Sequence, residues 1–373
     1  MVRNHKKASD SPCLTKQLCY GLIGAGSMGQ DHIDALGLFD NIKIIAIADP
    51  DEEHLQKSSS MLHNQNQIYH DYRELLAHEK LDAVIIATPN FTHAEIIFHC
   101  IEKGVNILCE KPLCITAGDC KKVCECLSDF PGIFQVGLEL RYLPIWKKLQ
   151  QLVVNGKIGQ IRQLWCKEFR GPFAKKHEQW VVQKDKSGGT LIEKNCHHFD
   201  LFNWLVGKKP VSVNGFGSCD LVYGKERFGI TPTVLDNAVV NIQYETGAIA
   251  TLMLCMYCTG YNDGLEIGVI GTDGWIIGNC KHGNGDDVLK LFKREGQNDC
   301  TFEFPIDEKI KKTSHGGAVY FEHLAFRENI YQNSKPETSV KEGCWSVAVG
   351  LAAEKAVEKK QIVLIKEFEE FGL

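Results

Sequence analysis

The chain has 373 residues, of which 44% are hydrophobic and 24% charged, so its size and composition favour a globular protein with two domains. A formal net charge of -5 offers no basic surface for a nucleic-acid partner. No apolar run approaches the roughly 18 residues that cross a bilayer, and residues 1–17 lack the apolar segment of a secretory signal. We expect a cytoplasmic protein without nucleic-acid or membrane partners, and a disordered tail over residues 1–17.

The 16 cysteines are expected to be reduced thiols, because the chain is long, rich in core-forming residues and without a signal peptide. The one dense cluster of cysteines in the sequence is Cys120, Cys124 and Cys126, on a predicted helix over residues 117–127. Only Cys120 and Cys124 share a helical face, and no second ligand pair follows at zinc-site spacing. No metal site is therefore expected.

The N-terminal half alternates between apolar strands and helices. Strands are predicted over residues 18–24, 42–48, 83–87, 105–109 and 133–136, with a shorter unit around Ile68 and residues 72–76. Helices are predicted over residues 27–38, 51–62, 93–103 and 117–127. Apolar strands without polar alternation are buried on both faces, and strands joined by helices form parallel sheets through right-handed crossovers. The pattern predicts an α/β fold with a doubly wound parallel sheet over residues 18–140.

A glycine-rich turn follows the first predicted strand. It reads Gly24-Ala25-Gly26-Ser27-Met28-Gly29, a complete G-x-G-x-x-G. In a dinucleotide site Gly24 permits the tight turn, Gly26 lets the backbone approach a pyrophosphate, and Gly29 lets the helix pack on the strand. The phosphates then lie on the N–H groups of the helix that begins near Ser27 and Met28. The alternative is a structural turn without a ligand.

Asp49 ends the second predicted strand, 20 residues after Gly29. This is where a ribose-binding acid belongs in a dinucleotide fold. A carboxylate accepts hydrogen bonds from ribose hydroxyls and repels a 2′-phosphate, and no arginine follows among the next residues. The sequence therefore predicts NAD as the cofactor in preference to NADP. The alternative is an aspartate that only caps the next helix.

Two later segments resemble a known family. Residues 87–93 read Ala-Thr-Pro-Asn-Phe-Thr-His after the fourth strand, counting the short unit around Ile68, and residues 109–113 read Cys-Glu-Lys-Pro-Leu after the fifth. Together with the glycine turn, they resemble the glucose–fructose oxidoreductase, inositol dehydrogenase and MocA family. Residues 187–190, 244–250 and 271–274 match as well. By this resemblance the cofactor-binding residues also include Thr88, Pro89, Asn90, His93, Glu110 and Lys111.

The resemblance also implies the second domain, residues 141–373. It is expected to be an α+β domain with a large open, mainly antiparallel sheet that gives a homodimer or homotetramer. Strands are predicted there over residues 158–169, 211–217, 238–244 and 248–254. The substrate is expected between this sheet and the nicotinamide.

Within residues 188–205 a helical pattern runs from Ile192 onward, on which Glu193, His197 and Asp200 share a face at i, i+4 and i+7. A carboxylate near His197 is expected to raise the pKa of the imidazole. The alternative is a solvated helix face with paired charges. The resemblance implies that His197 is the general acid/base and that Lys111 hydrogen-bonds the same substrate oxygen, with a cis Lys111–Pro112 bond. Glu193 replaces the family's usual aspartate and is expected to assist.

Other substrate contacts are predicted at Arg141, Tyr142, Trp180, Lys194, His198 and Asp200. For Tyr142 and Trp180, packing in the core is an equal or stronger alternative.

The predicted function is an NAD-dependent dehydrogenase that acts on a secondary hydroxyl of a small polyhydroxylated substrate, a cyclitol, sugar or sugar derivative. Alternatives are an NAD-retaining glycosidase, a dihydrodiol- or biliverdin-type reductase, and a non-catalytic dinucleotide-binding regulator. A regulator has no need for both Lys111 and His197, which argues against the last alternative.

Overall fold

The computed structural model describes residues 16–221, 229–260, 264–283, 285–294 and 299–366. Fifteen residues of the tail predicted over residues 1–17 lie outside this part of the chain. Within the described residues, no helix is long and apolar enough to cross a membrane.

Six parallel strands form the first sheet. They are β1 (Leu18–Ile23), β2 (Ile42–Ala48), β3 (Gln67–Tyr69), β4 (Ala83–Ile86), β5 (Asn106–Glu110) and β6 (Phe134–Gly137). Their order across the sheet is β3-β2-β1-β4-β5-β6, which confirms the predicted doubly wound sheet. β1 lies between β2 and β4, with Ile23 paired to Ala48 and Ile86. The strand order reverses at β1 and β4, so the crevice for a ligand opens at their carboxyl ends.

The helices of this domain cover both faces of the first sheet. They are α1 (Ser27–Leu36), α2 (Glu52–Met61), α3 (Tyr72–His78), α4 (His93–Lys103) and α5 (Ala117–Leu127). Local signals fix their ends: the Asp51 carboxylate accepts the N–H groups of Glu53 and His54, and Gly104 ends α4 in the left-handed conformation at φ 69°. α1 ends two residues earlier than the predicted range, at Leu36.

Nine strands form the second sheet. They are β7 (Ile161–Phe169), β8 (Pro210–Ser218), β9 (Asn237–Tyr244), β10 (Ile249–Cys255), β11 (Leu265–Gly271), β12 (Gly274–Cys280), β13 (Asp287–Lys293), β14 (Cys300–Phe304) and β15 (Val363–Leu364). Their order is β14-β13-β12-β11-β7-β10-β9-β8-β15. All neighbours are antiparallel except β7 and β10. The large, mainly antiparallel sheet is therefore confirmed.

The remaining helices lie mainly against one face of the second sheet. They are α6 (Pro144–Val154), α7 (Lys184–Ser187), α8 (Thr190–Glu193), α9 (Cys196–Val206), α10 (Glu308–Lys311), α11 (Ala318–Gln332) and α12 (Val340–Lys359). On β8 and β9, Val213 and Val240 point into this core while Phe216 and Val239 are exposed on the opposite face. Ile249 and Ile270 are exposed as well, so the sheet has an uncovered apolar face.

Helix α11 packs against the first domain although it comes late in the chain. Phe326 is fully buried beside Tyr20, with ring centroids 6.0 Å apart, and Tyr320 stacks on Phe39 at 4.8 Å. Helix α12 contributes Cys344 to the core around the first sheet. The predicted boundary between residues 140 and 141 falls inside the short 3-10 helix Glu139–Tyr142, and it stays a prediction.

Candidate active site

The glycine turn packs as closely as its sequence predicts. Gly24 has φ 94°, and a Cβ built there lies 2.5 Å from the Ala87 carbonyl oxygen. A Cβ at Gly29 lies 2.1 Å from the Gly24 carbonyl oxygen. At Gly26 the nearest described atom is His54 Cε1 at 3.7 Å, so the space beside this residue is open. Gly24 and Gly29 therefore shape the turn, while Gly26 leaves room for a ligand to approach the backbone.

Helix α1 begins beside this open space. Gly26 is its N-cap, and no side chain caps the first N–H groups of the helix among the described residues. Uncapped N–H groups at a helix N-terminus form a ready site for phosphate oxygens. Lys176, from the second domain, contacts the Ser27 hydroxyl, so a cation also reaches this end of α1. Lys176 is a site residue that the sequence did not indicate.

Asp49 lies against the glycine turn at the carboxyl end of β2. Its Oδ2 accepts the Ala25 N–H at 2.7 Å and its Oδ1 accepts the Asp51 N–H at 2.9 Å. His54 Nδ1 lies 3.5 Å from Oδ1. These contacts orient the carboxylate, and each oxygen retains a further lone pair for a ribose hydroxyl.

The residues after β4 connect the two domains. Asn90 is buried, and its Nδ2 donates to the Ser187 carbonyl at 2.9 Å and to Glu193 Oε2 at 2.8 Å. The Thr88 hydroxyl bonds the Thr92 hydroxyl at 2.8 Å. Pro89 caps the short turn Asn90–Thr92. Asn90 therefore links the predicted cofactor loop directly to the predicted catalytic segment.

His93 is fully buried between two loops instead of facing the open space. Its Nδ1 lies 2.8 Å from the Pro112 carbonyl and its Nε2 lies 3.0 Å from the Thr88 carbonyl. Burial lowers the pKa of His93, so the ring is neutral and donates to one carbonyl at a time. His93 therefore holds the loop at Thr88 against the loop at Pro112, and neither of its ring nitrogens is directed at the space for a cofactor.

Lys111 and Glu193 form the centre of the site. The Lys111 ammonium donates to the Glu193 carbonyl oxygen at 2.8 Å and lies 3.4 Å from Glu193 Oε1. Their side chains are 16% and 13% exposed. Burial, the largest single influence, would lower the pKa of Lys111, but the charges of Glu193, Glu110 and Glu139 together contribute to a net rise in the pKa. Lys111 is therefore a cation held at the edge of the cleft, and the Lys111–Pro112 bond is cis as the resemblance implies.

The predicted continuous helix from Ile192 onward is wrong. Helix α8 ends at Glu193 and α9 begins at Cys196, with Asn195 as the N-cap of the second helix. Because of this break, Glu193, His197 and Asp200 do not share one helical face. Glu193 faces Lys111, whereas His197 lies near Glu139 and Asp200 pairs with Arg141.

His197 lies in the first turn of α9 and is 5% exposed. The carboxylate nearest to it is Glu139, with Oε1 at 3.9 Å from Nε2, and Nδ1 has no hydrogen-bond partner among the described residues. We expected a neighbouring carboxylate to raise the pKa of His197. Instead, burial lowers the pKa well below its ordinary value, although Glu139 acts in the opposite direction. The ring is a neutral base at neutral pH.

Glu139 pairs with a histidine from a distant turn. His315 Nδ1 lies 2.7 Å from Glu139 Oε1, and His315 has φ 54° in the turn before α11. Glu139 is the main cause of a raised pKa at His315. Burial opposes ionisation of Glu139, yet the charge of His315 lowers the pKa of that carboxyl. The sequence indicated neither residue as functional.

A second charged group lies on the other side of the catalytic segment. Glu168, buried in β7, is 3.3 Å from the Lys194 ammonium and 3.5 Å from His198 Nε2. Although burial acts in the opposite direction, Lys194 holds the pKa of Glu168 well below its usual range. Burial in turn lowers the pKa of both Lys194 and His198. These two predicted residues therefore bind Glu168, which the sequence analysis missed.

Three predicted substrate residues lie in the protein core. Arg141 forms a bidentate ion pair with Asp200, with both N···O distances at 2.6 Å and both side chains nearly inaccessible. The Tyr142 hydroxyl bonds the Thr338 hydroxyl at 2.9 Å. Arg141, Tyr142 and Asp200 therefore have buried partners other than Lys111, and these contacts account for their presence in the core. Trp180 also packs against the core of the second domain.

Glu110 points away from the cleft into a buried polar cluster. His32 Nε2 lies 3.1 Å from Glu110 Oε1, and oxygens of Glu110, Glu139 and Glu322 lie within 4.8 Å of one another. Burial, reinforced by Glu110 and Glu139, raises the pKa of Glu322 well above its usual value. A proton on Glu322 therefore lets these carboxyl groups lie together. The expected absence of a metal site stays a prediction.

The described part of the chain fits a bound dinucleotide. The observation is the cradle at Gly26, where a Cβ would occupy open space next to uncapped helix N–H groups. Asp49 lies beside this cradle, at the end of the neighbouring strand. Residues 24–29 and Asp49 would therefore hold the pyrophosphate and the adenosine ribose, and Lys111 lies farther along the cleft.

The phosphate cradle on a parallel sheet, with a lysine and a neutral histidine at the domain boundary, defines a nicotinamide-dependent oxidoreductase. The chain belongs to the glucose–fructose oxidoreductase, inositol dehydrogenase and MocA family. Residues 18–138 match the model of its NAD-binding Rossmann fold, and residues 150–365 match the model of its C-terminal alpha/beta domain.

Several relatives cover most of the chain. Myo-inositol 2-dehydrogenase of Thermotoga maritima is 27% identical over 351 residues, which are 93% of this chain and 98% of that protein. A 2,7-anhydro-N-acetylneuraminate hydratase of Mediterraneibacter gnavus is 28% identical over 239 residues, which are 64% of this chain and 61% of that protein.

Solved structures share the fold. A levoglucosan dehydrogenase in complex with NADH and levoglucosan superposes with a TM-score of 0.81 at 21% identity, covering 94% of this chain and 100% of that chain. The myo-inositol 2-dehydrogenase of Lactobacillus plantarum has a TM-score of 0.76 at 23% identity, covering 94% of this chain and 99% of that chain. At these identities the likeness establishes the fold alone.

Proposed function

We propose that this oxidoreductase is a dehydrogenase for a secondary hydroxyl of a cyclitol, sugar or sugar derivative. The observation that carries the proposal is that the Lys111 ammonium, held by Glu193, lies close enough to His197 for its charge to add to burial in lowering the pKa of that imidazole. Oxidation of an alcohol requires a base for the hydroxyl proton and a cation for the developing alkoxide. The relatives named as inositol 2-dehydrogenases support a polyol as the substrate class.

The residues of this chain divide the work as follows. The Lys111 ammonium uses two contacts on Glu193, which leaves a third N–H for the substrate oxygen. His197 accepts the hydroxyl proton, because burial keeps its imidazole neutral. Glu193 is held by Asn90 and aims Lys111 without receiving the substrate's proton. When bound, the nicotinamide dinucleotide supplies the hydride acceptor.

We further propose that NAD is preferred to NADP. The support is the oriented carboxylate of Asp49, whose negative charge faces the region where a 2′-phosphate would lie.

The test is a screen of cyclitols and sugars, with myo-inositol first, that follows NADH absorbance with the purified protein. Substitution of His197 by Ala should slow hydride transfer about 10²–10⁴-fold, the usual contribution of a general base, while NAD affinity stays near wild type. His198→Asn is the matched control, since the neighbouring buried histidine faces Glu168 instead. Hydride transfer at the wild-type rate in His197→Ala would falsify the assigned base, and Lys194 or His198 would then be reconsidered.

A second candidate is an enzyme that oxidises its substrate transiently and retains the reduced cofactor, as an NAD-retaining glycosidase does. The relatives named as 2,7-anhydro-N-acetylneuraminate hydratases support this candidate, because hydration involves no net oxidation. In that case the same screen gives product, detected by mass spectrometry, without accumulation of NADH.

A further inference from the structure

We propose that Glu139 and His315 form a proton path that connects the buried base His197 to solvent. The inference rests on the proposed function, because it concerns the fate of the proton that His197 removes from a hydroxyl. It adds two residues that the family resemblance did not indicate, and one of them comes from a turn 176 residues farther along the chain.

The path is needed because His197 is enclosed. Its side chain is 5% exposed, so a proton on its ring has little direct access to water. A base that cannot release its proton stays protonated after one oxidation and is unavailable for the next. Continuous turnover therefore requires a group that takes the proton onward.

Glu139 occupies the required position between the base and a second histidine. Its Oε1 lies 3.9 Å from His197 Nε2 and 2.7 Å from His315 Nδ1. The second contact is a charge-assisted hydrogen bond. The first is longer than a hydrogen bond, and a small rotation of the Glu139 side chain or a bound hydroxyl bridges it.

His315 is the solvent end of the path. Its side chain is 43% exposed, whereas the side chains of His197 and Glu139 are 5% and 3% exposed. It lines a cavity of about 400 Å³ together with His282, Gly283, Glu308, Lys311 and Gly316. The cavity holds water readily at this volume, so an imidazole on its wall exchanges protons with solvent.

The surrounding charges favour passage in this direction. Described charged or titratable groups facing the three members are Asp31, Glu110, Lys111, Lys194, His198, His282 and Glu322. Burial, with Lys111 and Lys194 adding to it, lowers the pKa of His197, while Glu139 raises the pKa of His315. A proton therefore moves from the weaker base, His197, to the stronger base, His315.

The proton passes from His197 to water in three transfers. His197 Nε2, protonated by the substrate hydroxyl, gives its proton to the Glu139 carboxylate. The resulting neutral carboxyl gives the proton to Nδ1 of a neutral His315 ring that carries its hydrogen on Nε2, which forms the imidazolium paired with the Glu139 carboxylate. The half-exposed imidazolium then rotates toward the cavity and loses its Nδ1 proton to water there, so the ring is again neutral with its hydrogen on Nε2. No redox partner takes part in these steps.

The test separates hydride transfer from proton release. Myo-inositol and NAD are mixed with the enzyme at low buffer concentration, and NADH absorbance and a pH-indicator dye are followed together. The variants are Glu139→Gln and His315→Asn, since Asn tolerates the left-handed φ of 54°. His282→Asn is the matched control, because His282 lines the same cavity and has φ 48°.

In wild type and His282→Asn, proton release should keep pace with NADH formation. In both path variants the first turnover should give NADH at the wild-type rate, while proton release and steady-state turnover fall at least about tenfold. Added imidazole should restore turnover in His315→Asn, because a mobile base replaces the missing ring, and should do so much less in Glu139→Gln. Unchanged proton release in His315→Asn would overturn the proposal.

A second measurement needs no substrate. The protein is labelled with ¹³C-histidine, saturated with NAD, and titrated by NMR. The pKa of His315 should lie above its ordinary value in wild type and fall in Glu139→Gln. Identical titration in both proteins would overturn the path even if no polyol is oxidised. Absence of NADH with every polyol, by contrast, overturns the proposed function alone.

Discussion

The open space beside Gly26 allows cofactor binding to be separated from folding. Gly26 has φ -69° and ψ -165°, a conformation that alanine adopts without a positive φ. The Cβ of Gly26→Ala would approach no described atom more closely than 3.7 Å, so the apo fold should tolerate the change. Alanine is a poorer N-cap than glycine by about 1 kcal/mol, and the lower freedom of the unfolded chain offsets about 0.4–1 kcal/mol, so the net loss of stability should stay below about 1 kcal/mol.

The same methyl group should obstruct the cofactor. It projects about 1.5 Å from Cα into the space through which a pyrophosphate reaches the first N–H groups of α1. Loss of one charge-assisted hydrogen bond costs about 1.5–3 kcal/mol, which corresponds to a roughly 10- to 150-fold increase in Kd. We therefore expect Gly26→Ala to fold normally and to bind NADH at least about tenfold more weakly.

NADH fluorescence titration and urea unfolding test this prediction together. Gly118→Ala, in helix α5 with no described atom within 4 Å, is the control and should leave both measurements near wild type. Gly29→Ala should instead fail to fold stably, because its Cβ would lie 2.1 Å from a backbone oxygen. Wild-type NADH affinity in a folded Gly26→Ala protein would refute the assignment of the cradle.

Four further predictions concern other parts of the molecule. Wild type should bind NAD(H) more tightly than NADP(H) in fluorescence titrations. Asp49→Asn should reduce the ratio of the NADP(H) Kd to the NAD(H) Kd, because it removes the charge that repels a 2′-phosphate. Equal affinities in wild type would contradict the role of Asp49. Arg141→Met should lower the free energy of unfolding in urea by about 3–5 kcal/mol, since it strands the buried Asp200 carboxylate, whereas Tyr142→Phe should cost about 1 kcal/mol. Similar losses in both would argue against a structural ion pair. In sedimentation velocity the protein should run as a homodimer or homotetramer. Phe216→Glu should dissociate this oligomer, because Phe216 is exposed on the open face of the second sheet. Val154→Glu is the control and should leave the oligomer intact, because Val154 is exposed on a helix. Thiol titration of the denatured protein should find all 16 cysteines reduced, and elemental analysis should find no stoichiometric zinc. If two thiols fail to react, the prediction is contradicted, and a disulfide between Cys124 and Cys344 is the first to examine because their sulfurs lie 2.9 Å apart.

Local motifs carried most of the sequence prediction. The glycine turn and Asp49 are defined by neighbours within about one helical turn or one strand, so residue type and spacing suffice to identify them. The break at Lys194 and Asn195 was missed, although Asn195 is a typical N-cap residue and was a usable signal. Periodicity alone extended one helix through it and placed Glu193 and Asp200 on a common face.

Contacts between distant segments could not be predicted in the same way. Glu139 and His315 meet only because the turn before α11, with left-handed His315, folds against the 3-10 helix that follows β6. Glu168 did leave a signal: in β7 it alternates with Leu164 and Cys166, which places a charge on the buried side of a strand. A charge at such a position needs a buried partner, and here Lys194 supplies it.

The return of helix α11 to the first sheet has a consequence for how this protein is assembled and divided. Tyr20 and Phe39, from the first 40 residues, are covered by Phe326 and Tyr320. A fragment that ends near residue 140 would carry the entire nucleotide-binding motif and yet expose part of its own interior to water. The match to residues 18–138 therefore leaves out residues of α11 that enclose the core of the first sheet. During synthesis, the nucleotide-binding half gains this covering layer only after α11 has left the ribosome, and a transplant of this half into another protein would have to bring α11 to keep that layer.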